Sequence, residues 1–404
     1  MTPIDPQMAP RTAMLEQAIL EKAALANWRI APFCQWSFQN LDALVPTAAI
    51  SEPGLSESDA GSALFDGIEV DYPDGQRLTL REHLTRSSTD ALVAMRDGEV
   101  VAEWYAPHLD RDRPHTIFSI SKSVTGMLAG IAIGEGKLDP AAPISHYVAA
   151  PTRSAYASAT VRDLLDMTVA LDFEESYLDT TGLFDRYRRA MLWNPARPGE
   201  TPETLEQVMT SLGRSAAEHG RAFYYASPNA DMLGLVIERA TGTPYHAYLA
   251  QRLWRPMGAR GAAYVTVDRA GTARASGGIC ATARDLARFG QLVLDGGRAR
   301  DGRQVVPSEW VADMRTKGNR RAWETGNFWD MFLDGRYRSC WYLTGNPRGA
   351  FCGVGIHGQW LWIDPESRLV LVRFCSRPEP SEDALSEREI GVLNRVGEAL
   401  QRVV

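Results

Sequence analysis

The chain has 404 residues, of which 45% are hydrophobic and 23% charged, and a net charge of −7. This is an ordinary globular composition, large enough for one big domain with an insertion or for two. Lys and Arg are scattered without a basic run or stripe, which argues against nucleic acid as a partner. No stretch approaches the roughly eighteen apolar residues of a membrane span.

Residues 1–90 are rich in Pro, Ala and turn formers, with aromatic anchors at Trp28, Phe33, Trp36 and Phe38, and read as an irregular N-terminal wrap. Met1 to Arg11 has no basic patch followed by an apolar run, so the cytoplasm is the expected location. Two apolar strands, Ala91 to Met95 and Val100 to Tyr105, flank an Asp97-Gly98 turn, the signal of a hairpin. From Phe118 to Gly134 small and apolar residues run nearly all round, the pattern of a buried helix. Gly126, Gly130 and Gly134 recur at four-residue spacing and leave a bare stripe where a neighbour can pack closely, despite the propensity cost of helical glycine.

The pattern from about 150 to 260 is mainly helical, with Val161 to Met167 and Asp231 to Ala240 as its clearest segments, the second stopped by Thr241-Gly242. Strands return at Gln359 to Asp364 and Leu369 to Phe374, before a C-terminal helix over about 384–402. Strands from both ends around a helical middle predict an α+β fold. One antiparallel sheet is flanked by helices, with a mainly helical subdomain over about 150–260, all within a single domain of residues 1–404 and with a cleft beside the sheet.

Within the buried helix, Ser119-Ile120-Ser121-Lys122 puts a hydroxyl and an ammonium one helical turn apart. Serine is a poor nucleophile at neutral pH unless a proton acceptor lies within reach, and a desolvated lysine can serve. Tyr225, in Phe223-Tyr224-Tyr225-Ala226-Ser227-Pro228-Asn229 just ahead of the Asp231 helix, is a second candidate. A phenol beside an ammonium has its anion stabilised, so Tyr225 could accept the Ser119 proton and pass it to a leaving amine. A core tyrosine with a hydrogen-bonded hydroxyl is the plainer alternative.

Gly353-Val354-Gly355-Ile356-His357-Gly358 matches G-x-G-x-x-G by letters, but a strand rather than a helix follows it, so a dinucleotide site is not expected. His357 has no visible partner and reads as a structural or rim histidine. Cys34, Cys280, Cys340, Cys352 and Cys375 are odd in number, widely separated and free of C-x-x-C spacing. They predict reduced thiols, with neither a disulfide framework nor a zinc site. No G-x-S-x-G elbow and no H-E-x-x-H helix occurs.

Ser-x-x-Lys, then Tyr-x-Ser, then a glycine-rich strand near the C-terminus is the motif order of penicillin-recognising serine hydrolases. The chain resembles the class C β-lactamase and esterase superfamily, and within it the 6-aminohexanoate-dimer hydrolases that cleave nylon oligomers. The likeness also rests on Leu44 to Ala49, Thr282 to Arg288 and Gly353 to Gln359. It implies a β-lactamase/penicillin-binding-protein-like fold in which Ser119 attacks a carbonyl, Lys122 and Tyr225 manage protons, and the Ser119 and Ile356 N–H groups form the oxyanion hole. Two such donors are worth several kcal/mol of barrier, and a helix N-terminus at Ser119 adds a favourable dipole.

The same resemblance assigns Tyr177 and Trp193 to substrate binding. It implies a small-molecule ester or amide as the partner and, since similar enzymes are often homodimers, a homodimer; no metal or organic cofactor is expected, and charge and hydropathy leave neither a nucleic acid nor a membrane as an expected partner. The Lys-Thr-Gly or His-x-Gly that would hold a β-lactam carboxylate is Gly353-Val354-Gly355 here, and Ser227 stands where class C β-lactamases have asparagine. A serine hydrolase of short esters and small linear amides is therefore expected ahead of a β-lactamase, a D-Ala-D-Ala carboxypeptidase or a non-catalytic binder. Arg186, Tyr187, Arg188 and Arg189 predict a cationic wall that repels a substrate ammonium and favours an anionic or neutral one.

Overall fold

The computed structural model describes residues 22–54, 56–72, 75–381 and 383–402. The N-terminal part is less irregular than its composition suggests. It holds β1 (Thr47–Ser51), a hairpin of β2 (Glu69–Asp71) and β3 (Arg77–Thr79), and a helix over Leu80–Arg86 that opens with a Thr79/Glu82 capping box. Trp28 and Phe38 are fully buried, while Phe33 and Trp36 are half-buried.

The predicted hairpin is β4 (Thr89–Arg96) and β5 (Glu99–Tyr105), turned at Asp97 and Gly98, both with positive φ. The remaining strands are β6 (His115–Thr116), β7 (Ala263–Thr266), β8 (Ile279–Ala281), β9 (Arg336–Arg338), β10 (Trp341–Leu343), β11 (Phe351–Gly355), β12 (Gln359–Asp364) and β13 (Leu369–Cys375). A seven-stranded sheet runs β5-β4-β13-β12-β11-β10-β9 with antiparallel neighbours, and a four-stranded sheet runs β1-β7-β8-β6.

Strand alternation explains the layers around the larger sheet. Ala91, Val93, Leu361, Ile363, Val370 and Val372 point into a core shared with the Ala283–Leu294 and Ile120–Gly134 helices. Leu92, Ala94, Trp360, Trp362 and Leu371 point the other way, into a second core closed by Val392, Leu393, Val396 and Leu400 of the C-terminal helix, Asp383–Gln401. Residues apolar at every position are thus those of a sheet covered on both faces.

The glycine stripe of the Ile120–Gly134 helix serves close packing as expected. A methyl group at Gly126 would stand 2.2 Å from the Ser339 carbonyl oxygen, and one at Gly130 2.2 Å from the Trp310 ring. The segment from Val161 to Trp254 is mostly helical: Val161–Leu165, Leu183–Ala190, Leu205–Ser211, Ser227–Thr241 and Tyr245–Leu249. The helix expected from Asp231 starts four residues earlier, because Pro228 sits in its first turn, where a missing N–H costs nothing. Gly242, at φ 64°, ends it.

All five cysteines are buried free thiols. Among the described residues no helix is long and apolar enough to cross a membrane, and no group of three or more His, Cys, Asp and Glu side chains is arranged to hold a metal ion.

Candidate active site

Ser119 is the residue immediately before the Ile120–Gly134 helix, and Phe118 ahead of it has φ 44°, a left-handed conformation that a bulky residue rarely adopts. Such strain persists only where surrounding packing enforces it. Here Trp28 stacks on the Phe118 ring at 6.2 Å, with Phe38 and Trp193 edge-on at 4.9 and 6.1 Å. The packed ring therefore fixes the turn that presents Ser119.

One turn into the helix, Lys122 is buried to 1% exposure and its Nζ donates to Ser119 Oγ at 2.9 Å, Ser227 Oγ at 3.0 Å and the Ser276 carbonyl at 2.9 Å. All three ammonium donors are engaged, none by a carboxylate. Burial lowers the lysine to about 8, with Arg274 pushing the same way while Glu175 and Asp231 oppose. About a tenth of the amine is then neutral at pH 7, 2.9 Å from the serine hydroxyl.

Tyr225 lies on the other side of the lysine, whose Nζ sits 4.7 Å from the ring centroid. Its phenol hydrogen-bonds the Ser119 side chain, its backbone N–H donates to Asn327 Oδ1 at 3.0 Å, and Tyr342 and Phe328 pack on the ring at 6.5 and 5.3 Å. The expected stabilisation of a Tyr225 anion is not what the surroundings provide. Burial pushes the phenol well above its ordinary value, Glu175 adds to the shift, and the Ser119 hydrogen bond only partly opposes it. The ammonium faces the ring rather than the phenol oxygen, so Tyr225 is a neutral O–H donor and Lys122 is the group poised to accept a proton.

Glu175, not singled out from the sequence, ties these parts together. Its carboxylate accepts from the Ser227 N–H at 2.6 Å, the Ser227 hydroxyl at 2.8 Å and the Tyr177 hydroxyl at 3.0 Å. The hydroxyl that receives the Lys122 hydrogen bond is thereby oriented, and the Tyr177 hydroxyl is held on the same carboxylate. Burial, then Glu175, push the Tyr177 phenol well above its ordinary value.

Behind Lys122, Asp231 accepts from the Ser276 N–H at 2.7 Å, and Arg274 bonds Asp231, the Tyr187 hydroxyl and the Ser276 hydroxyl. This buried pair fixes the peptide whose carbonyl receives the lysine.

The glycine-rich strand reaches the site for a steric reason. A methyl group at Gly353 would stand 2.9 Å from Ser123 Oγ, and one at Gly355 2.8 Å from the Ile117 carbonyl. Only glycine lets β11 approach the chain beside Ser119 and end there at Ile356. After Gly358 comes β12, so the G-x-G-x-x-G letters span strand, single turn and strand, with no nucleotide-binding helix. His357 is structural: it is buried, its Nδ1 bonds the Arg377 carbonyl at 2.6 Å, and burial lowers it to about 3, leaving it neutral.

Trp193 is not on the cleft surface. It is 4% exposed, its indole N–H donates to Thr266 Oγ1 at 3.3 Å, and Trp28 meets it edge-on at 5.2 Å. An apolar ring with a satisfied N–H packs in the layer behind Phe118 rather than against a substrate. The expected cationic wall also dissolves for the most part. Arg186 pairs with Glu203 and Arg189 with Asp185 and Glu200, while Tyr187 is buried against Asp231.

A family model described as beta-lactamase matches residues 79–393. A 6-aminohexanoate-dimer hydrolase of Paenarthrobacter ureafaciens is 36% identical over 379 residues, 94% of this chain and 94% of the relative. Among solved structures, a Bacillus anthracis protein provisionally assigned as a 6-aminohexanoate-dimer hydrolase superposes with a TM-score of 0.83 at 24% identity, covering 95% of this chain and 98% of its own. An octameric penicillin-binding protein homologue from Pyrococcus abyssi gives 0.58 at 18% identity, over 78% of this chain and 75% of its own. At those identities the two structures speak to the fold alone.

Proposed function

The chain belongs to the β-lactamase family of serine hydrolases, and from that premise we propose that it cleaves short esters and small linear amides of the 6-aminohexanoate-oligomer type through an acyl-Ser119 intermediate. The observation that carries this reading is the buried Lys122 Nζ, 2.9 Å from Ser119 Oγ and without a carboxylate partner.

Neutral Lys122 takes the Ser119 proton as Oγ bonds to the substrate carbonyl carbon. The oxyanion that forms is received by the Ser119 and Ile356 N–H groups. Its collapse breaks the bond to the leaving amine or alcohol, which takes the Tyr225 phenolic proton. Water then attacks the acyl-serine and gives its proton to the Tyr225 phenolate, and the Lys122 ammonium returns its proton to Ser119 Oγ as the acid product leaves. Tyr177, held by Glu175, borders the leaving group, while Trp193 supports Phe118 from behind.

The departure of the Gly353-Val354-Gly355 strand from a cationic third motif favours this reading over a β-lactamase or carboxypeptidase. Turnover of a chromogenic cephalosporin would reverse that order. Five buried thiols fit a cytoplasmic location, and light scattering tests the homodimer suggested by resemblance.

The deciding experiment measures hydrolysis of linear 6-aminohexanoate dimer and of a short p-nitrophenyl ester by the wild type and Ser119→Ala. Both substrates should turn over, both activities should vanish in the variant, and a fluorophosphonate should label Ser119. Ester cleavage alone would leave an esterase of other specificity, and inactivity on both, with no labelling, would favour a binder.

A further inference from the structure

The hairpin turn that carries Ile356 is tied to the chain around it at each of its residues. It joins β11 to β12 through Ile356, His357 and Gly358, with Gly355 paired to Gln359 at its mouth. His357 has φ 63°, a left-handed conformation uncommon for any residue with a side chain, and Gly358 follows at φ 88°. Such a conformation costs free energy and persists where the surroundings over-determine it.

The surroundings here are backbone groups of β13 and of the segment after it. The His357 N–H donates to the Pro380 carbonyl at 2.8 Å, and its ring Nδ1 donates to the Arg377 carbonyl at 2.6 Å. Gln359 Nε2 donates to the Ile356 carbonyl at 3.3 Å and to the Cys375 carbonyl at 2.6 Å, while its Oε1 accepts from the Cys375 N–H at 3.1 Å. Arg373 Nη1 donates to the Gly358 carbonyl at 2.9 Å.

His357 also reaches the other half of the site. Its ring lies 5.3 Å from the ring of Phe118 and 5.0 Å from that of Phe38. Phe118 is the left-handed residue before Ser119, and His357 is the left-handed residue after Ile356. Two strained residues thus meet ring to ring, each next to one of the N–H groups assigned to the oxyanion hole. Because a carbonyl only accepts, Nδ1 carries the ring proton, and Nε2 is buried with no hydrogen-bond partner among the described residues. The ring therefore offers one fixed donor and a packed face, and moves no proton in the reaction.

We infer that His357 is a positioning residue of the oxyanion hole: its Nδ1–H on the Arg377 carbonyl and its contact with Phe118 set the spacing between the Ser119 and Ile356 N–H groups. The inference rests on the acyl-serine reading above. Donors set for the oxyanion act on the transition state more than on the bound substrate, so the effect belongs in kcat.

The test compares the wild type, His357→Phe and His357→Asn on a short p-nitrophenyl ester, with thermal unfolding measured alongside. His357→Phe keeps a ring against Phe118 and loses the donor, whereas His357→Asn keeps an N–H donor near the same place and tolerates the left-handed backbone. His357→Phe should lower kcat about 30-fold with KM within about twofold, and should bind butylboronic acid, which forms a tetrahedral anion on Ser119, about tenfold more weakly. His357→Asn should return kcat to within about fivefold of the wild type. If His357→Phe does not fold, His357→Gly, whose residue is at ease at φ 63°, replaces it with the same expectation. Wild-type kcat and boronate affinity in the donorless variant, a loss confined to KM, or a His357→Asn no better than the donorless variant overturns the positioning role and leaves the hydrolase. A wild type that neither cleaves the ester nor binds the boronate sinks the hydrolase reading and this inference with it.

Discussion

Lys122 beside Ser119 and Arg284 at the β5 edge of the seven-stranded sheet are both buried cations, yet their surroundings put them to opposite uses. Lys122 donates to two hydroxyls and a carbonyl, so burial governs it and lowers it to about 8. Arg284 instead forks onto both oxygens of Glu103, with Nε at 2.8 Å, and donates to the Ser58 carbonyl at 2.7 Å. That hydrogen-bonded carboxylate raises Arg284 further. Burial would raise Glu103, but Arg284, the Ala60 N–H and the Tyr105 hydroxyl hold it down to about 2. Neutral acceptors leave a cation free to lose its proton, whereas a carboxylate makes it a fixed charge. The first arrangement suits proton transfer and the second suits structure.

Breaking the catalytic side of the comparison gives the largest effects. Ser119→Ala and Lys122→Ala should each lower kcat on a p-nitrophenyl ester by at least about 10⁴-fold with little change in thermal unfolding, since nucleophile and base act as one unit. Retention of activity by Lys122→Ala would disprove its role as base.

Breaking the structural side should move stability instead. Arg284→Ala leaves buried Glu103 with only Arg111, at 3.9 Å, as a cationic partner among the described residues and should cost about 3 kcal/mol in urea unfolding, with kcat/KM of the folded fraction near wild type. Because Glu103 sits below its ordinary 4.5 when folded, the stability it contributes is fully present above that value and lost as pH falls towards about 2. Arg284→Ala should flatten that acid limb.

A third variant separates donor from base. Tyr225→Phe should lower amide turnover by about 10²-fold and ester turnover by less, because an amine leaving group needs a proton more than p-nitrophenolate does. Equal losses on both would assign Tyr225 to positioning.

The smallest effect sharpens the contrast on Lys122 alone. Activity should rise with pH as Lys122 loses its proton near 8, and Glu175→Gln, which removes a charge that raises the lysine, should move that limb to lower pH. A limb that stays in place would show that Glu175 acts only through Ser227 and Tyr177.

How much was legible in the sequence varied with the kind of information each feature needs. Ser119 and Lys122 share one helical turn, so their meeting follows from local geometry, and Tyr225 is brought in by the motif order. Thr282 to Arg288, part of the resemblance, holds Arg284 to Glu103 and Asp285 to the Arg260 and Gly261 N–H groups, which is scaffold rather than site. Glu175 was hidden because nothing in the letters distinguishes it from its neighbour Glu174. Only the folded strap turns Glu175 to Ser227 and Tyr177 while Glu174 stays exposed. The resemblance assigns Trp193 to substrate binding, yet an aromatic residue at a given position says nothing of which side of a layer it packs on.

Periodicity and turn chemistry determined the β4–β5 hairpin, the β12 and β13 strands and the glycine-striped helix, because these depend on residues within a few positions of one another. The charge state of each ionisable group was decided only by tertiary structure, which brings Ser276 and Ser227 to Lys122 and Glu103 to Arg284. Desolvation and partner type come from residues far away in the chain, and those two quantities separate a base from a structural cation.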